Sequence, residues 1–553
     1  MSVLGGNSEG SGRRARAAGT AGKAGAAGKA GSARKAGSAR AVQAGVALLS
    51  AIALAGCALL PGGSGGEGAG DAPVVGELPA APAGTVESFG EQQPVWADCA
   101  DGMQCADVFA PLDWDDPAGE TLTLRMVRHQ ATGDDKLGTL FLNPGGPGAS
   151  GVDYVTGSLE HAVQPDVRAA YDVVGWDPRG VGASSPVQCF DDAGMDDFLF
   201  GDEPEPEFER GSDEWIDAEI AAARPFGEAC AERSGELLSS VSSEATVRDL
   251  DMLRAIVGDP KLNYLGFSYG TYIGALYADT FPDHVGRLVL DGAMDPSTSL
   301  HDVVREQTRG FELALRAYVA DCLDRRGCPF TGNVDGAMGQ IGKLLDRIDA
   351  TPLQGSDGRT LTSGTALTAI ITPLYSKESW GYLDQLFTSL TNTDADIALS
   401  LADFYYDRED GKYLSNSTEA FTAINCLDYP GDVDPERMRA EAAELDEVAP
   451  TIGRFQGYGD IGCAAWPVSA EGERTKVTGA GADPILVVGT TGDPATPYRW
   501  AESLAKQLES GVLVTYVGEG HTAYTTSDCI AKVVDDFLVN GTVPEQDPRC
   551  AAE

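Results

Sequence analysis

Leu262-Asn-Tyr-Leu-Gly-Phe-Ser268-Tyr-Gly-Thr-Tyr-Ile-Gly-Ala-Leu-Tyr-Ala278 joins a short apolar run to a longer one through a serine set between glycines. Leu262–Leu265 has the length and apolarity of a buried strand, and Thr271–Ala278 those of a packed helix. Gly266-Phe-Ser268-Tyr-Gly270 fits the sharp turn between them. In such a turn the serine backbone is strained, and glycines keep neighbouring side chains out of the way. The string by itself is weak in a chain with 69 glycines. It recurs at Gly6-Asn-Ser-Glu-Gly10 and Gly62-Gly-Ser-Gly-Gly66, both in low-complexity sequence with no strand before and no helix after. Context singles out Ser268.

The flanking sequence repeats the alternation. Gly138-Thr-Leu-Phe-Leu142 predicts a buried strand opening into Asn143-Pro-Gly-Gly-Pro-Gly148. Tyr171-Asp-Val-Val-Gly-Trp176 predicts the next, ending in Asp177-Pro-Arg-Gly-Val-Gly182. Val247, Leu250, Leu253 and Ile256 recur at helical spacing after Ser243, a candidate N-cap. Further strands are predicted at Arg287–Asp291, Pro484–Val488 and Val512–Val517, and residues 297 to about 475 read as helices and loops. Strands alternating with helices imply a mostly parallel sheet flanked by helices. The late break in that alternation implies a large, mainly helical cap inserted before the last strands.

A serine hydroxyl is a poor nucleophile until a base takes its proton. In a strand-turn-helix setting of this kind, the α/β-hydrolase fold, an acid and then a histidine follow the serine along the chain. Of the five histidines (His129, His161, His284, His301 and His521), only His521 lies beyond the cap, after a predicted strand. Asp493, in Gly489-Thr-Thr-Gly-Asp493-Pro-Ala-Thr-Pro497, stands in the turn after the preceding strand, where a carboxylate can hold the imidazole tautomer. Glu519 is the rival, but it shares a tight turn with His521. An oxyanion needs two fixed amide donors. Tyr269 supplies one by its position after the serine, and the Asn143–Gly148 loop is suited to supply the other.

Together these segments resemble the secreted tripeptidyl aminopeptidases of actinobacteria, serine peptidases related to proline iminopeptidase. The resemblance spans roughly residues 95–550 and includes Ala423-Ile-Asn-Cys-Leu-Asp428 and Cys463-Ala-Ala-Trp-Pro467. It implies Ser268, Asp493 and His521 as the catalytic triad and Gly146 as the second oxyanion donor. It also implies release of short peptides from free N-termini, with the cap closing over the site and no organic cofactor or metal. Local spacing together with the resemblance favours the disulfides Cys99–Cys105, Cys189–Cys230, Cys322–Cys328, Cys426–Cys463 and Cys529–Cys550. An aminopeptidase must hold the substrate ammonium, and a cap carboxylate suits that task. Asp428, fixed by the Cys426–Cys463 bridge, is the first candidate and Glu378, beside Trp380, the second. A carboxylesterase or lipase could use the same triad. A non-catalytic binding lipoprotein on a hydrolase scaffold is the third alternative.

The N-terminus reads as an address. Eight basic residues and one acid in residues 1–56 lead into the apolar run Val46–Ala55, short of the length of a membrane span, followed by Gly56-Cys57. Leu54-Ala-Gly-Cys57 resembles a bacterial lipobox, which implies cleavage before Cys57, lipidation of its thiol and anchoring to the outer membrane face. A plain signal peptide or an uncleaved anchor are the alternatives. Residues 57–90, rich in Gly, Pro and Ala, predict a flexible tether. The core is then expected over 91–296 and 476–553, with the cap over 297–475. Ten cysteines remain once Cys57 is set aside, an even number that suits disulfides outside the cell. No Cys-x-x-Cys pair is present, which argues against a metal site. Beyond residue 56 the chain holds 32 basic and 83 acidic residues, a net charge of −51, which repels nucleic acid.

Overall fold

The computed structural model describes residues 76–552 apart from 101, 202–207, 432 and 471–473. The leader, Cys57 and most of the tether lie outside the described residues. Ten strands make one sheet among the described residues: β1 (Ala97–Ala100), β2 (Met103–Pro111), β3 (Thr121–His129), β4 (Gly138–Asn143), β5 (Tyr171–Trp176), β6 (Leu262–Phe267), β7 (Val285–Asp291), β8 (Ile485–Gly492), β9 (Gly511–Glu519) and β10 (Arg549–Ala551). Their order across the sheet is β1-β2-β3-β5-β4-β6-β7-β8-β9-β10. The pairs β1–β2, β2–β3 and β3–β5 are antiparallel, and from β5 to the far edge every pair is parallel.

Strands covered on both faces need no polar side, so β5 is buried along its whole length. The chain crosses from β5 over β4 to reach β6. That reversal of strand order opens a crevice at the carboxyl ends of β4 and β6, the place where open α/β sheets bind ligands. The Asn143–Gly148 loop and the Ser268 turn both stand there.

Between β7 and β8 the chain leaves the sheet. Its helices include Leu300–Asp324, Val334–Ala350, Ser363–Ile371, Trp380–Thr391, Asp396–Tyr405, Ser417–Asp428 and Pro435–Val448. Most of this insertion has a core of its own, with Phe311, Tyr318, Ile341 and Phe387 fully buried. A smaller excursion between β5 and β6, with helices Asp192–Phe200 and Asp213–Ser234, had no counterpart in the sequence expectations. Cys189–Cys230 ties it down. The other four bridges, Cys99–Cys105, Cys322–Cys328, Cys426–Cys463 and Cys529–Cys550, are also formed.

Two local expectations change. Residues 86–90, assigned to the tether, form a short helix with a Thr85 capping box, and Phe89 is buried in the main core. The helix before β6 is capped by Ser242, whose hydroxyl accepts from the Ala245 amide. Ser243 is instead its first residue and turns its hydroxyl to Tyr269 and Asp428.

Candidate active site

Ser268 ends β6 and starts the helix Tyr269–Thr280 with φ 54° and ψ −124°. A residue with a Cβ is rarely held there, and the surroundings must enforce it. The enforcement is steric and hydrogen-bonded. A methyl on Gly266 would sit 2.6 Å from the Gly270 carbonyl oxygen, and one on Gly270 would sit 2.8 Å from the Asn143 carbonyl oxygen. The Ser268 amide donates to the Asp291 carbonyl oxygen at 2.9 Å, while its own carbonyl accepts from the Thr271 hydroxyl at 2.6 Å. The elbow is built from the core alone.

The Asn143–Gly148 loop lies directly on this turn. A side chain at Gly145 would come within 3.1 Å of both Ser268 Cβ and the Tyr269 nitrogen. Asn143 Oδ1 accepts the Gly145 amide at 2.8 Å, so that amide is already committed. Asp177 steadies the loop's far end by accepting from the Ser150 hydroxyl and the Val152 amide. Burial of the Asp177 carboxyl pushes it up to about 6 despite these donors.

Asp493 follows β8 and His521 follows β9. His521 Nδ1 lies 3.0 Å from each Asp493 oxygen, and both side chains are buried. Asp493 also accepts from the Thr496 amide at 2.8 Å, the Ala495 amide at 2.9 Å and the Thr496 hydroxyl at 3.0 Å. With Nδ1 facing the carboxylate, Nε2 is the nitrogen left for proton transfer. Glu519 makes no such contact; burial raises its carboxyl above the ordinary range, opposed by Lys377. The elbow and the imidazole meet around Asp291–Gly292: Asp291 holds the Ser268 amide, and a methyl on Gly292 would be 3.1 Å from His521 Cε1.

The insertion braces this half of the site. The His521 amide donates to the Tyr375 carbonyl oxygen at 2.8 Å, and the two rings meet edge to face at 5.5 Å. Gln307 donates to the Ala495 carbonyl oxygen at 2.8 Å, and a methyl on Gly310 would stand 2.3 Å from the Pro494 carbonyl oxygen. Both belong to the helix Leu300–Asp324.

The two acids expected at the substrate ammonium differ in setting. The Asp428 side chain is buried and engaged: it accepts from the Ser243 amide and hydroxyl and from Tyr269 OH, and pairs with Arg474 at 3.4 Å. Arg474 is itself stacked between Tyr272 and Tyr429, 3.7 and 4.0 Å from their ring centres. Glu378 is exposed on the segment after Tyr375 and accepts from the Ser376 hydroxyl at 2.6 Å. Sequence reasoning passed over a third carboxylate, Glu419, in the first turn of the helix Ser417–Asp428. It is buried, no arginine or lysine among the described residues pairs with it, and burial pushes it up to about 7. That turn packs on Gly148, where an added methyl would meet the Ser417 carbonyl oxygen at 2.7 Å and the Phe421 nitrogen at 2.9 Å. Asp291 and Tyr375 were also passed over; an acid closing an apolar strand just before a glycine was the available signal for Asp291. Among the described residues no group of three or more His, Cys, Asp or Glu side chains could hold a metal ion.

A strained serine, a buried acid–imidazole pair and this strand order define a serine hydrolase of the α/β-hydrolase class. A family model described as TAP-like protein matches residues 449–550. The chain is 36% identical over 462 residues to serine protease Hip1 of Mycobacterium tuberculosis, covering 81% of this chain and 87% of that protein. It is 36% identical over 495 residues to carboxylesterase B of the same organism, covering 88% and 94%. It is 31% identical over 471 residues to the tripeptidyl aminopeptidase of Streptomyces lividans, covering 82% and 86%. The chain belongs to the tripeptidyl aminopeptidase family of α/β-hydrolase serine peptidases.

Proposed function

We propose that this chain is an exported serine exopeptidase that releases short peptides, three residues long, from free N-termini. Ser268 Oγ attacks the peptide carbonyl while His521 Nε2 takes its proton and then delivers it to the leaving amine. Water, activated by the same imidazole, resolves the acyl-enzyme. The Tyr269 amide and the Gly146 amide hold the oxyanion, since the Gly145 amide is committed to Asn143. The observation that carries this assignment is the Asp493–His521 pair, 3.0 Å apart and meeting the Ser268 elbow at Asp291–Gly292.

Counting residues from an N-terminus requires a carboxylate at a fixed distance from the serine. Three extended residues span about 10 Å. Asp428 would have to give up Arg474 and Tyr269 to serve. Glu419 has no competing arginine or lysine among the described residues and sits in the turn that touches Gly148, so it suits the ammonium better; Glu378 is exposed. Peptide anilides of one to four residues, with free or acetylated N-termini, test the mode. The free tripeptide should be cleaved best and acetylation should raise KM; equal cleavage of free and acetylated substrates would exclude an aminopeptidase. Glu419→Gln should reproduce the effect of acetylation.

The relative named carboxylesterase B favours a second activity on esters. Ratios of kcat/KM for tripeptide anilides and nitrophenyl acyl esters separate the two. For localisation, Cys57→Ser tests the lipid anchor. The variant should leave the membrane fraction with its specific activity intact, and a fatty-acid analogue should mark only the wild type. No helix among the described residues is long and apolar enough to cross a membrane.

A further inference from the structure

Behind the pair Asp493–His521 lies a second carboxylate that the mechanism above does not use. Asp291 closes β7, and its side chain is entirely buried. Its oxygens accept the Ala523 amide, 3.0 Å from each, and the Tyr524 amide at 2.8 Å. Those amides belong to the second and third residues after His521. Thr522, between His521 and these two residues, is held at φ 66°, a conformation that a β-branched residue adopts only under constraint. The backbone of Asp291 meanwhile holds the Ser268 amide. One residue therefore fixes the nucleophile through its carbonyl and the base loop through its carboxylate.

With His521 as the base assigned above, we propose that Asp291 is a positioning residue that clamps the His521 loop against the Ser268 elbow and, by its charge, raises the basicity of the imidazole. The charged groups acting on Asp291 are His521, which favours the carboxylate, and Asp493, which opposes it. No arginine or lysine among the described residues neutralises it, so its charge is directed at the imidazolium that forms when Ser268 loses its proton. Burial pushes Asp291 up to about 6, against the pull of the Tyr524 and Ala523 amides and of His521.

Asp291→Asn keeps the shape and one acceptor but removes the charge. On an ester substrate, kcat should fall by roughly ten- to a hundredfold with KM within about twofold. The acidic limb of kcat/KM should move to lower pH by about half to one unit, because losing a nearby negative charge makes the imidazolium easier to deprotonate. NMR titration of 15N-histidine-labelled enzyme should show the same shift at His521. Should Asp291→Asn fail to fold, Asp291→Ser, which retains an acceptor without charge, carries the same test. A lower rate with the acidic limb and the His521 titration unmoved would overturn the electrostatic role and leave a structural cap. Unchanged kcat would overturn the proposal outright. Phosphonylation of wild-type Ser268 by a fluorophosphonate, read separately, tells whether the triad itself is at fault.

Discussion

The two halves of the catalytic apparatus share Asp291 but lean otherwise on different parts of the chain. Ser268 is fixed by residues of the sheet: two glycines with no room for a methyl, the Asn143 loop and the Asp291 carbonyl. Asp493 and His521 hang on loops after β8 and β9 that lean on the insertion, through Tyr375, Gln307 and Gly310. The nucleophile is thus set within the sheet and its loops, and the base where sheet and insertion meet. The insertion therefore does more than cover the site. Part of it is the wall against which the base is set.

The largest expected effect tests the nucleophile. Ser268→Ala should lower kcat by about four to six orders of magnitude while leaving the thermal unfolding midpoint unchanged. Turnover that survives in the folded variant would sink the assignment and with it the comparison. His521→Ala should match it.

Gly310→Ala sharpens the contrast. Alanine is favoured over glycine in a helix by about 1 kcal/mol, yet its methyl would collide with the Pro494 carbonyl. A displacement of the acid loop near 1 Å should cost about a hundredfold in kcat, on esters and peptides alike. Full activity in Gly310→Ala would show that the insertion does not brace the acid. Gly270→Ala is the counterpart in the core: the same added methyl meets Asn143, and both activity and unfolding midpoint should drop.

Removing the Cys426–Cys463 bridge by paired alanine substitution should destabilise the fold by roughly 2–4 kcal/mol. Its sharper signature is selective. The bridge holds the helix that carries Glu419, so KM for free peptides should rise more than KM for esters, measured at a temperature where the variant stays folded.

The smallest effect is on stability against pH. Burial raises Asp177, Asp291 and Asp535 to about 6 and Glu419 to about 7, so near pH 6 the folded state binds more protons than the unfolded chain. Stability should therefore rise by a few degrees in unfolding midpoint as pH falls from about 8 to about 5. Asp196, Asp251, Asp295 and Glu444 have lowered values, held by arginine, histidine, tyrosine, serine or amide donors. Their stabilisation is lost as they protonate, so the midpoint should fall again below about pH 4. A midpoint that declines steadily from pH 8 downward would contradict the raised acids.

Legibility in the sequence followed the same division. Ser268 was readable because strand, turn and helix all lie within a dozen residues. Asp493 and His521 were readable from order along the chain and from turn-rich sequence after apolar runs. The parallel strands β4 to β9 stood out as continuous apolar segments, whereas β2 and β3, half-exposed and alternating, did not. Asp428 looked available because its neutralising partner, Arg474, lies 46 positions away. Tyr375, Gln307 and Gly310 carry no motif; their meaning appears only when segments more than a hundred residues apart are packed together.

The Tyr375 carbonyl has a consequence for how such enzymes diverge. What His521 needs from the insertion is a main-chain oxygen at one point in space, and every amino acid can offer one. Selection at that position acts on the path of the backbone and leaves the letter in the sequence free to drift. Two homologues could share the brace with no identity at the site, and a third could match the letter and lack it. Grafting the insertion of one relative onto the core of another should therefore succeed or fail by whether the splice returns that oxygen to its place, a criterion of geometry that percentage identity does not measure.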